Sequence, residues 1–348
     1  MKVLHLLNSD TFSGAENVVC QIISICKNKD IDFVYCSPYG QIKNALDERN
    51  IQYNLLSKLC IPELKRVIKD EKPDIIHAHD MRASFFAALC CGKIPLISHI
   101  HNNAFDSRGL SLKSILYYFA GLKAKHIFWV SESSFNGYKF HNFLKNKSSV
   151  LYNVIKIDSL KNKVSLDKND YNYDVIYLGR LTYPKNPQRL LRVLEKILDI
   201  RPKTKIAIIG TGDMDLEIKE SVENNCKLRN VDFLGFKENP YKILSDSKIM
   251  IMTSRWEGTP MCVLEALSLG KPIVATPVDG LLHIIENDKN GYLSDDDDKI
   301  AGKICDLLEN ENQLSEMSKN ASDYAVKLMN IEKYKNSILT EYKKWFKG

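Results

Sequence analysis

Short apolar runs alternate along this chain with longer segments in which apolar residues recur every three or four positions. A short continuous apolar run is typical of a strand buried on both faces, and the longer period is typical of an amphipathic helix. In the first half, the pattern predicts strands at residues 3–7, 31–36, 51–56, 74–79, 94–99, 126–130 and 150–152. Because helical patterns lie between them, this half is predicted to form a parallel sheet with helices on both faces.

The middle of the chain differs, since residues 155–173 are polar, rich in Lys, Asn and Asp, and without a clear period. This composition is typical of a connection between domains. The alternation then resumes, with strands predicted at 175–178, 206–209, 231–234, 249–252 and 273–275, and with mainly helices after residue 291, the last at 331–346. The predicted fold class is α/β, with doubly wound Rossmann-like domains at 1–160 and 174–328, a linker at 161–173 and a C-terminal helix at 329–348.

The composition is that of an ordinary soluble protein, with 348 residues of which 44% are apolar and 26% charged. No apolar run approaches the roughly 20 residues that a membrane-spanning helix needs. The first residues enter a strand pattern without a cleavable signal. Nine cysteines form no C-x-x-C pair, and most lie in apolar segments. These features predict reduced thiols and a cytoplasmic location.

The net charge of +6 is concentrated in residues 101–150, which hold seven Lys or Arg against two acids. Within this segment, residues 110–122 combine Lys113 with a run of Leu, Ile, Tyr and Phe. Basic and apolar side chains together fit peripheral contact with an anionic membrane, and a core-packed helix with a solvated basic edge is the alternative. No nucleic-acid-binding motif accompanies the charge, so nucleic acid is not an expected partner.

Residues 249–277 contain the densest group of candidate site residues. Two predicted strands flank a turn that ends in Thr259-Pro260, which is typical of the N-cap and first turn of a helix. Glu257 lies just before this helix and Glu265 lies inside it. The unpaired N–H groups of a helix start attract anions, and carboxylates accept hydrogen bonds from sugar hydroxyls. The stretch predicts a ligand that carries phosphate and hydroxyl groups, against the plainer interpretation of two solvated glutamates.

Two further places suit an anionic ligand. Gly14 follows the first strand and opens a helix that begins with a Ser-x-x-Glu capping box, so a ligand can approach the backbone amides there. Arg180 ends the first strand of the second predicted domain, and Lys185 follows in a proline-flanked loop. An Arg fork and a mobile Lys together suit a diphosphate.

Two other motifs carry less weight. The segment Gly210-Thr211-Gly212 lacks the remaining glycines of a dinucleotide fingerprint and is interpreted as only a strand-to-helix turn. The acidic run at 295–298 is interpreted as a solvated loop before a helix.

Four histidines stand at predicted strand ends, namely His77, His79, His99 and His101. At the carboxyl ends of parallel strands they would face a ligand crevice, where one could act as base or electrophile. The set also has the composition of a metal site, but paired histidines point the same way only if both strands stay regular to their ends. A structural role is favoured for His77 and His99, and no metal is assigned.

With these residues in view, the chain resembles the retaining glycosyltransferases of family 4, which have the GT-B fold, over nearly its whole length. The strongest element is the pair Glu257 and Glu265, separated by seven residues in SRWEGTPMCVLEALSLGKPIVAT. GAE after the first strand, GRLTYPKNP after the linker and VSES at residues 130–133 stand at the expected places. The resemblance implies two Rossmann-like domains facing across a cleft, and a last helix that crosses back to the first domain.

The resemblance also implies roles for particular residues. Glu265 would hold the ribose hydroxyls of the donor nucleotide, and Glu257 would contact hydroxyls of the transferred sugar. Arg180 and Lys185 would neutralise the diphosphate. Further backbone contacts to the nucleotide sugar would come from Gly14, Thr259, Pro260 and Met261. His101 would lie near the sugar and help polarise the reaction, a role for which His99 is the alternative.

The implied activity is sugar transfer with retention, without a metal or other cofactor, from a nucleotide sugar that is most often a UDP-sugar. The implied acceptor is a lipid-linked or glycan substrate of bacterial surface polysaccharide biosynthesis, such as lipopolysaccharide or capsule, at the cytoplasmic face of the inner membrane. Three alternatives stay open. They are a nucleotide-sugar epimerase of the same architecture, a nucleotide- or glycan-binding subunit without activity, and a metal-dependent phosphohydrolase built on His77, His79, Asp80, His99 and His101.

Overall fold

The computed structural model describes residues 1–102 and 105–346, and in it the chain divides into two compact units. Unit 1 comprises Met1–Asn153 together with the residues from Ile331 onward, and unit 2 comprises Val154–Asn330. Each unit contains one six-stranded parallel sheet. The predicted α/β class with two parallel sheets is confirmed, and the predicted bounds of the domains and linker stay predictions.

The sheet of unit 1 is built from short strands buried against helices. Its strands are β1 Lys2–Leu6, β2 Asp32–Cys36, β3 Ile75–His79, β4 Leu96–Ile100, β5 His126–Trp129 and β6 Ser148–Val150. Their order in the sheet is β2-β1-β3-β4-β5-β6. The α-helices between them are α1 Gly14–Cys26, α2 Ile42–Glu48, α3 Ile61–Glu71, α4 Asp80–Cys90, α5 Leu112–Lys123, α6 Glu132–Gly137 and α7 His141–Leu144.

Unit 2 has the same kind of architecture. Its strands are β7 Val175–Leu178, β8 Ile206–Ile209, β9 Val231–Gly235, β10 Ile249–Met252, β11 Ile273–Ala275 and β12 Gly291–Leu293, in the order β12-β11-β10-β7-β8-β9. Its helices are α8 Ile157–Leu166, α9 Pro187–Ile200, α10 Asp215–Asn224, α11 Tyr241–Asp246, α12 Met261–Ser268, α13 Asp279–Leu282, α14 Asp297–Glu309 and α15 Glu311–Leu328. The bounds of β7, β8, β10 and β11 are those predicted, because strands buried on both faces are continuous apolar runs.

Three local predictions are wrong. Residues 51–56 form no strand, since Tyr53 and Leu56 make only isolated bridges to Tyr35 and Pro38. Residues 155–173, predicted to be an irregular connection, contain α8, which buries Leu160. The sequence pattern also missed β12, which is three residues long and lies at the edge of its sheet.

The acidic run at 295–298 is more than a solvated loop. Asp296 caps α14 by accepting a hydrogen bond from Asp298 N–H at 2.8 Å. Asp295 and Asp297 accept hydrogen bonds from Arg189 at 2.7 and 2.6 Å. The run therefore fixes the start of α14 against α9 by capping and by ion pairing.

The last helix, α16 Ile331–Trp345, belongs to unit 1, where it packs against α1. Its Ile338 and Tyr342 are buried, and Tyr342 OH lies 2.7 Å from His77 Nδ1. A helix was predicted at these positions, and its presence is confirmed. None of the helices in the described residues, 1–102 and 105–346, is long and apolar enough to cross a membrane.

Candidate functional site

The strand order of each sheet reverses at one pair of neighbouring strands, and ligands of such sheets bind outside the carboxyl ends of that pair. In unit 2 the pair is β7 and β10, and in unit 1 it is β1 and β3. Residues 179–186 follow β7 and residues 253–260 follow β10. These two loops carry most of the predicted site residues, which are therefore placed where the topology expects a ligand.

The two loops of unit 2 are bonded to each other. Arg255 N–H donates to Pro184 O at 2.8 Å, and Arg255 Nη2 donates to Asn186 Oδ1 at 2.9 Å. Thr253 Oγ1 donates to Asn186 O at 3.2 Å. The Arg255 guanidinium also lies 4.4 Å from the centre of the Tyr183 ring. The loops therefore form one connected framework for the side chains that they carry.

Lys185 and Glu257 form an ion pair in this framework, with 2.6 Å between Nζ and Oε1. The exposed fractions of the two side chains are only 15% and 9%, and Ser254 Oγ donates to the same carboxylate oxygen at 2.6 Å. Burial is the strongest single influence on Lys185 and acts to lower its pKa, but the charge and hydrogen bond of Glu257, together with the nearby Cys262, raise that pKa above its usual value. The positive charge of the exposed Arg180 acts to lower the pKa of Lys185, so the two cations are close enough to repel each other.

Glycines on neighbouring loops allow the backbones of this framework to touch. A Cβ at Gly210 would lie 1.9 Å from Gly179 O, and one at Gly280 would lie 1.5 Å from Gly258 O. Gly210 also has φ +138°, which side chains disfavour. Gly210 was interpreted as only part of a turn, and this was incomplete because it supports the backbone next to Arg180. Gly280 was not considered, and it lies five residues beyond the end of the strand predicted at 273–275.

Glu265 lies in α12 and is buried, and it accepts a hydrogen bond from Tyr241 OH at 3.0 Å. Burial raises the pKa of its carboxyl, while the bond from Tyr241 and the charge of Lys163 act to lower that pKa. Lys163 Nζ lies 5.2 Å from the centre of the Tyr241 ring. Lys163 belongs to α8, in the segment predicted to be a linker. Neither neighbour of Glu265 was predicted from the sequence.

The start of α12 differs by one residue from the prediction. The helix begins at Met261, and the N-cap residue is Pro260 rather than Thr259. A proline has neither a side-chain acceptor for capping nor a backbone N–H of its own. The N–H donors that this helix start offers therefore begin at Met261, and Pro260 contributes none.

The start of α1 in unit 1 has the predicted capping box. Glu16 Oε2 accepts hydrogen bonds from the N–H and Oγ of Ser13 at 3.1 and 2.6 Å. A Cβ at Gly14 would meet no atom within 4 Å, so the space beside this helix start is open. Gly14 and His101 belong to unit 1, and the other predicted site residues belong to unit 2.

A cluster of histidines lies on one face of the unit 1 sheet, and it is called the histidine cluster below. Neighbouring strands pair His5 with His77 and His79 with His99, and His101 follows β4. His101 is partly exposed, whereas the other four are buried. Burial lowers the pKa of all five, to about 3 for His5 and His101. His5 was missed, because one histidine in an apolar run forms no motif.

Two groups within the histidine cluster have the donor atoms of a metal site. Ring nitrogens of His5, His77 and His79 lie within 4.8 Å of one another, as do those of His79, His99 and His101. The strands stay regular to their ends, so these histidines do point the same way, as a metal site would require. A metal site would also require the lone pairs of these ring nitrogens to converge on one point, and that depends on the hydrogen bonds between the rings.

Two family models match adjacent parts of the chain. Glycosyltransferase Family 4 matches residues 13–159, and Glycosyl transferases group 1 matches residues 158–324. The UDP-Gal:alpha-D-GlcNAc-diphosphoundecaprenol alpha-1,3-galactosyltransferase of Escherichia coli is 24% identical, across 98% of this chain and 96% of that enzyme. An uncharacterized glycosyltransferase of Methanocaldococcus jannaschii is 30% identical, across 62% of this chain and 58% of its own length.

A solved structure shows the same fold over the whole chain. HepE of Anabaena, in complex with UDP, superposes with a TM-score of 0.84 at 19% identity, covering 99% of this chain and 100% of that one. The two adjoining family models together extend from residue 13 to residue 324. The chain belongs to glycosyltransferase family 4, and its fold is that of the GT-B enzymes.

Proposed function

We propose that this protein transfers a sugar from a UDP-sugar to a lipid-linked or glycan acceptor in bacterial surface polysaccharide biosynthesis. The transfer retains the anomeric configuration and needs no metal. The observation that carries the proposal is the buried pair of Lys185 and Glu257 at the strand-order reversal of unit 2. It places a fixed positive charge beside a carboxylate that accepts hydrogen bonds from hydroxyls, which is the combination that a sugar diphosphate requires.

The chemistry follows from where charge develops. The bond between the anomeric carbon and the diphosphate oxygen breaks, and its electron pair passes to that oxygen. The acceptor oxygen bonds to the same carbon from the same face, and its proton passes to the leaving phosphate. Lys185, which its ion pair with Glu257 holds in place before the bond breaks, and Arg180 stabilise the negative charge on the leaving group. These two cations supply the stabilisation that a metal would otherwise provide.

Glu265 and Glu257 have separate roles in this proposal. Glu265 holds the ribose hydroxyls, with Tyr241 fixing its carboxylate. Glu257 contacts hydroxyls of the transferred sugar through its second oxygen, since Oε1 is held by Lys185 and Ser254. The backbone near Thr259, Met261 and Gly14 supplies N–H donors, and His101 lies near the sugar. Pro260 has no N–H, so its contribution is limited to van der Waals contact.

The relatives support the donor and the acceptor. The E. coli relative is named for a UDP-galactose donor and a diphosphoundecaprenol-linked acceptor, and it aligns over nearly the full length of both chains. HepE binds UDP. A UDP-sugar and a lipid-linked acceptor are therefore the first substrates to test for this chain.

The first experiment is a thermal-shift panel with UDP, GDP, ADP and NAD, followed by transfer assays with sugars on the nucleotide that stabilises the protein. We expect UDP to raise the melting temperature. We expect Glu265→Ala and Arg180→Ala to lower turnover by about 10²–10³-fold, the usual cost of removing one group that stabilises developing charge or orients the donor. The exposed residues Glu220 and Arg229 of the same unit provide matched controls, as Glu220→Ala and Arg229→Ala.

Other outcomes would replace the proposal. Wild-type turnover in both site variants would remove the site assignment. Conversion of the donor sugar without any acceptor would indicate an epimerase, and binding of UDP without turnover of any donor and acceptor pair would indicate a binding subunit. Activity that is lost with a chelator and restored by a transition metal would favour the phosphohydrolase.

We also propose that unit 1 contacts an anionic membrane through α5 and α7. Apolar side chains of α5 at Leu112, Ile115, Phe119 and Leu122 recur on one helical face and are exposed, with exposed fractions of 73% for Leu112 and 58% for Phe119. Phe143 of α7 is 71% exposed, and its ring lies 5.9 Å from that of Tyr118 in α5. A contiguous exposed apolar face of this kind indicates an interaction surface.

Charge selects the anionic membrane as the occupant of this face. Residues 101–150 carry seven Lys or Arg against two acids, and residues 103 and 104 lie outside the described part of the chain. Lys147 Nζ bonds to the carbonyls of Gly121, Leu122 and Ala124 at the end of α5, so it serves the helix end rather than a lipid. Lys123 ends α5 next to Leu122, where an apolar and a basic side chain can meet a lipid surface together.

Flotation with anionic and with neutral liposomes tests this contact. We expect salt-sensitive binding to anionic liposomes, and its loss in a Leu112→Ser/Phe119→Ser variant. Leu216→Ser is a matched control, because Leu216 is 77% exposed on α10 of unit 2. Equal binding by all variants would contradict the assignment, and a change of oligomeric state in the double variant would assign the face to a second copy of the chain.

A further inference from the structure

The histidine cluster contains a row of three imidazoles. His5 Nδ1 lies 2.8 Å from His79 Nε2, and His79 Nδ1 lies 2.8 Å from His101 Nε2. The ring centres are 5.1 Å apart in both pairs, with angles of 22° and 18° between the ring planes. This separation is close to the nitrogen–nitrogen distance plus two ring radii, so the rings lie end to end and nearly coplanar. Each contact is therefore an in-plane N–H···N hydrogen bond.

The same geometry argues against a metal ion in the row. The lone pairs of metal ligands converge on one point. Here, both ring nitrogens of His79 point at a nitrogen of a neighbouring imidazole. His79 therefore has no lone pair left for an ion while the row is intact, and His79 belongs to both of the groups that have metal-ligand spacing.

The protons of the row are constrained by its bonds. Burial lowers the pKa of His5 and His101 to about 3 and that of His79 well below its usual value, so each ring is neutral near pH 7 and carries one N–H. Each hydrogen bond needs one N–H and one lone pair. All three rings must then carry the proton on Nε2, or all three must carry it on Nδ1.

The two ends of the row have no partner within the protein. His101 Nδ1 and His5 Nε2 are buried and make no hydrogen bond to any of the residues that the structure describes. The other nitrogen of His101 is occupied by His79, and the backbone N–H of His101 donates to Asp80 Oδ1 at 3.0 Å. Nδ1 is therefore the His101 nitrogen that is left for a ligand.

We propose that His5 and His79 are positioning residues that hold His101 in the same tautomer as themselves, and so decide whether its Nδ1 offers a lone pair or an N–H to the ligand. The contact of His101 with a sugar rests on the proposed function, whereas the coupling of the three tautomers does not. His77 and His99 lie beside the row, with ring centres 4.4 Å from His79 and 4.2 Å from His101. Their stacked rings keep the row in place without taking part in it.

The test is NMR of the full chain with ¹⁵N-labelled histidine, using two-bond proton–nitrogen correlations that separate protonated from unprotonated ring nitrogens. We expect His5, His79 and His101 to show one shared tautomer in the ligand-free protein. In His79→Phe, His101 loses the partner of its Nε2, and we expect it to become a mixture of both tautomers. His5→Asn places a side-chain amide near the position of His5 Nδ1, where it can still bond to His79 Nε2. We therefore expect the single tautomer of His79 and His101 to persist.

The controls separate coupling from simple damage to the fold. His99→Phe keeps a stacked ring in the same buried cluster but removes no bond of the row, so the tautomer of His101 should not change. If His79→Phe does not fold, the comparison of His5→Phe with His5→Asn carries the test. Different tautomers within the row, or an unchanged His101 in folded His79→Phe, would overturn the proposal. One bound transition metal per chain in the purified protein would also overturn it.

Activity gives a second reading. We expect kcat of His5→Phe to fall about tenfold with little change in KM, which is the lower end of what an outer partner that orients a histidine contributes. His5→Asn should recover most of this loss. A protein without transferase activity would still give the NMR result, so a failure of the proposed function and a failure of the tautomer coupling remain distinguishable.

Discussion

The two sheets have the same architecture, but the polar groups at their carboxyl ends have different chemistry. In unit 2, Lys185 and Glu257 form an ion pair with 2.6 Å between Nζ and Oε1, and the pKa of Lys185 is raised in spite of its burial. In unit 1, the histidine cluster is buried without a carboxylate bonded to any of its described rings, so burial leaves the imidazoles neutral. A buried group stays ionised only when a partner offsets its desolvation. Under the proposed function, this difference matches a charged diphosphate in unit 2 and neutral hydroxyl groups in unit 1.

The largest expected effect concerns acid. The pKa of His5 and His101 is about 3 in the folded protein against an ordinary 6.5, so the unfolded chain takes up protons first as pH falls. Their contribution to stability is complete above about pH 6.5 and is lost toward pH 3, at about 1.4 kcal/mol per pH unit for each. At pH 4.5 these two histidines alone should therefore have cost unit 1 roughly 5 kcal/mol, which hydrogen exchange of β1 and β3 would measure.

Unit 2 is the internal reference for this titration. Backbone hydrogen bonds lower the pKa of Asp296, so the capping of α14 weakens only below about pH 4. Burial raises the pKa of Asp80 and Glu16 in unit 1, and these groups act in the opposite sense to the histidines. Because asparagine does not titrate, His5→Asn should make the stability of unit 1 depend less steeply on pH between about 3 and 6.5. An equal loss of protection in β1 and β7 would contradict the comparison.

The next effect comes from breaking the charged pair. Lys185→Met leaves Glu257 buried without its cation, and we expect a loss of about 3–5 kcal/mol in the free energy of unfolding. The double variant Lys185→Met/Glu257→Gln removes both charges, so it should recover most of that stability in urea unfolding while transfer stays abolished. If the double variant is no more stable than Lys185→Met, the pair does not behave as a buried ion pair.

A smaller effect tests the contact between loops. In Gly280→Ala, the new Cβ would lie 1.5 Å from Gly258 O, so the loop that carries Glu257 must shift. We expect a loss of about 1–3 kcal/mol and weaker UDP binding by calorimetry. Gly302→Ala is the matched control, because a Cβ there meets nothing within 4 Å and alanine favours the helix. Unchanged UDP affinity in Gly280→Ala would show that the contact between Gly280 and Gly258 does not support the UDP site.

The smallest effect concerns the hydrogen bond between Tyr342 of α16 and His77 of the histidine cluster. Tyr342→Phe removes the hydroxyl bonded to His77 Nδ1 and should lower the free energy of unfolding by about 1 kcal/mol, the net contribution of a typical hydrogen bond. Tyr39→Phe is the control, since Tyr39 is 67% exposed and its hydroxyl meets solvent. Equal stability of the two variants in urea unfolding would show that α16 does not depend on this bond.

The sequence allowed some features to be predicted because they depend on neighbours along the chain. The strand Ile206–Ile209 is buried at every position, so its apolar run alone revealed it. By contrast, His5 bonds to a residue 74 positions away and Tyr342 to one 265 positions away, and no local pattern encodes such contacts. Helix α8 was missed because its polar composition outweighed the single buried Leu160. Glu257 was found by its motif, but its pairing with Lys185 required coordinates.

The position of α16 has a consequence for synthesis. Unit 1 is interrupted in sequence, since its first part ends at Asn153 and α16 begins only at Ile331. At about 5–20 residues per second, roughly 10–35 s pass on the ribosome between these two points. During that time His77 lacks Tyr342, and the surface that α16 covers is open to water and to chaperones. Unit 1 is therefore the first unit whose synthesis begins and the last to be completed. A truncation that removes α16 should leave unit 1 in the incomplete state that it has on the ribosome, with the surface under α16 exposed.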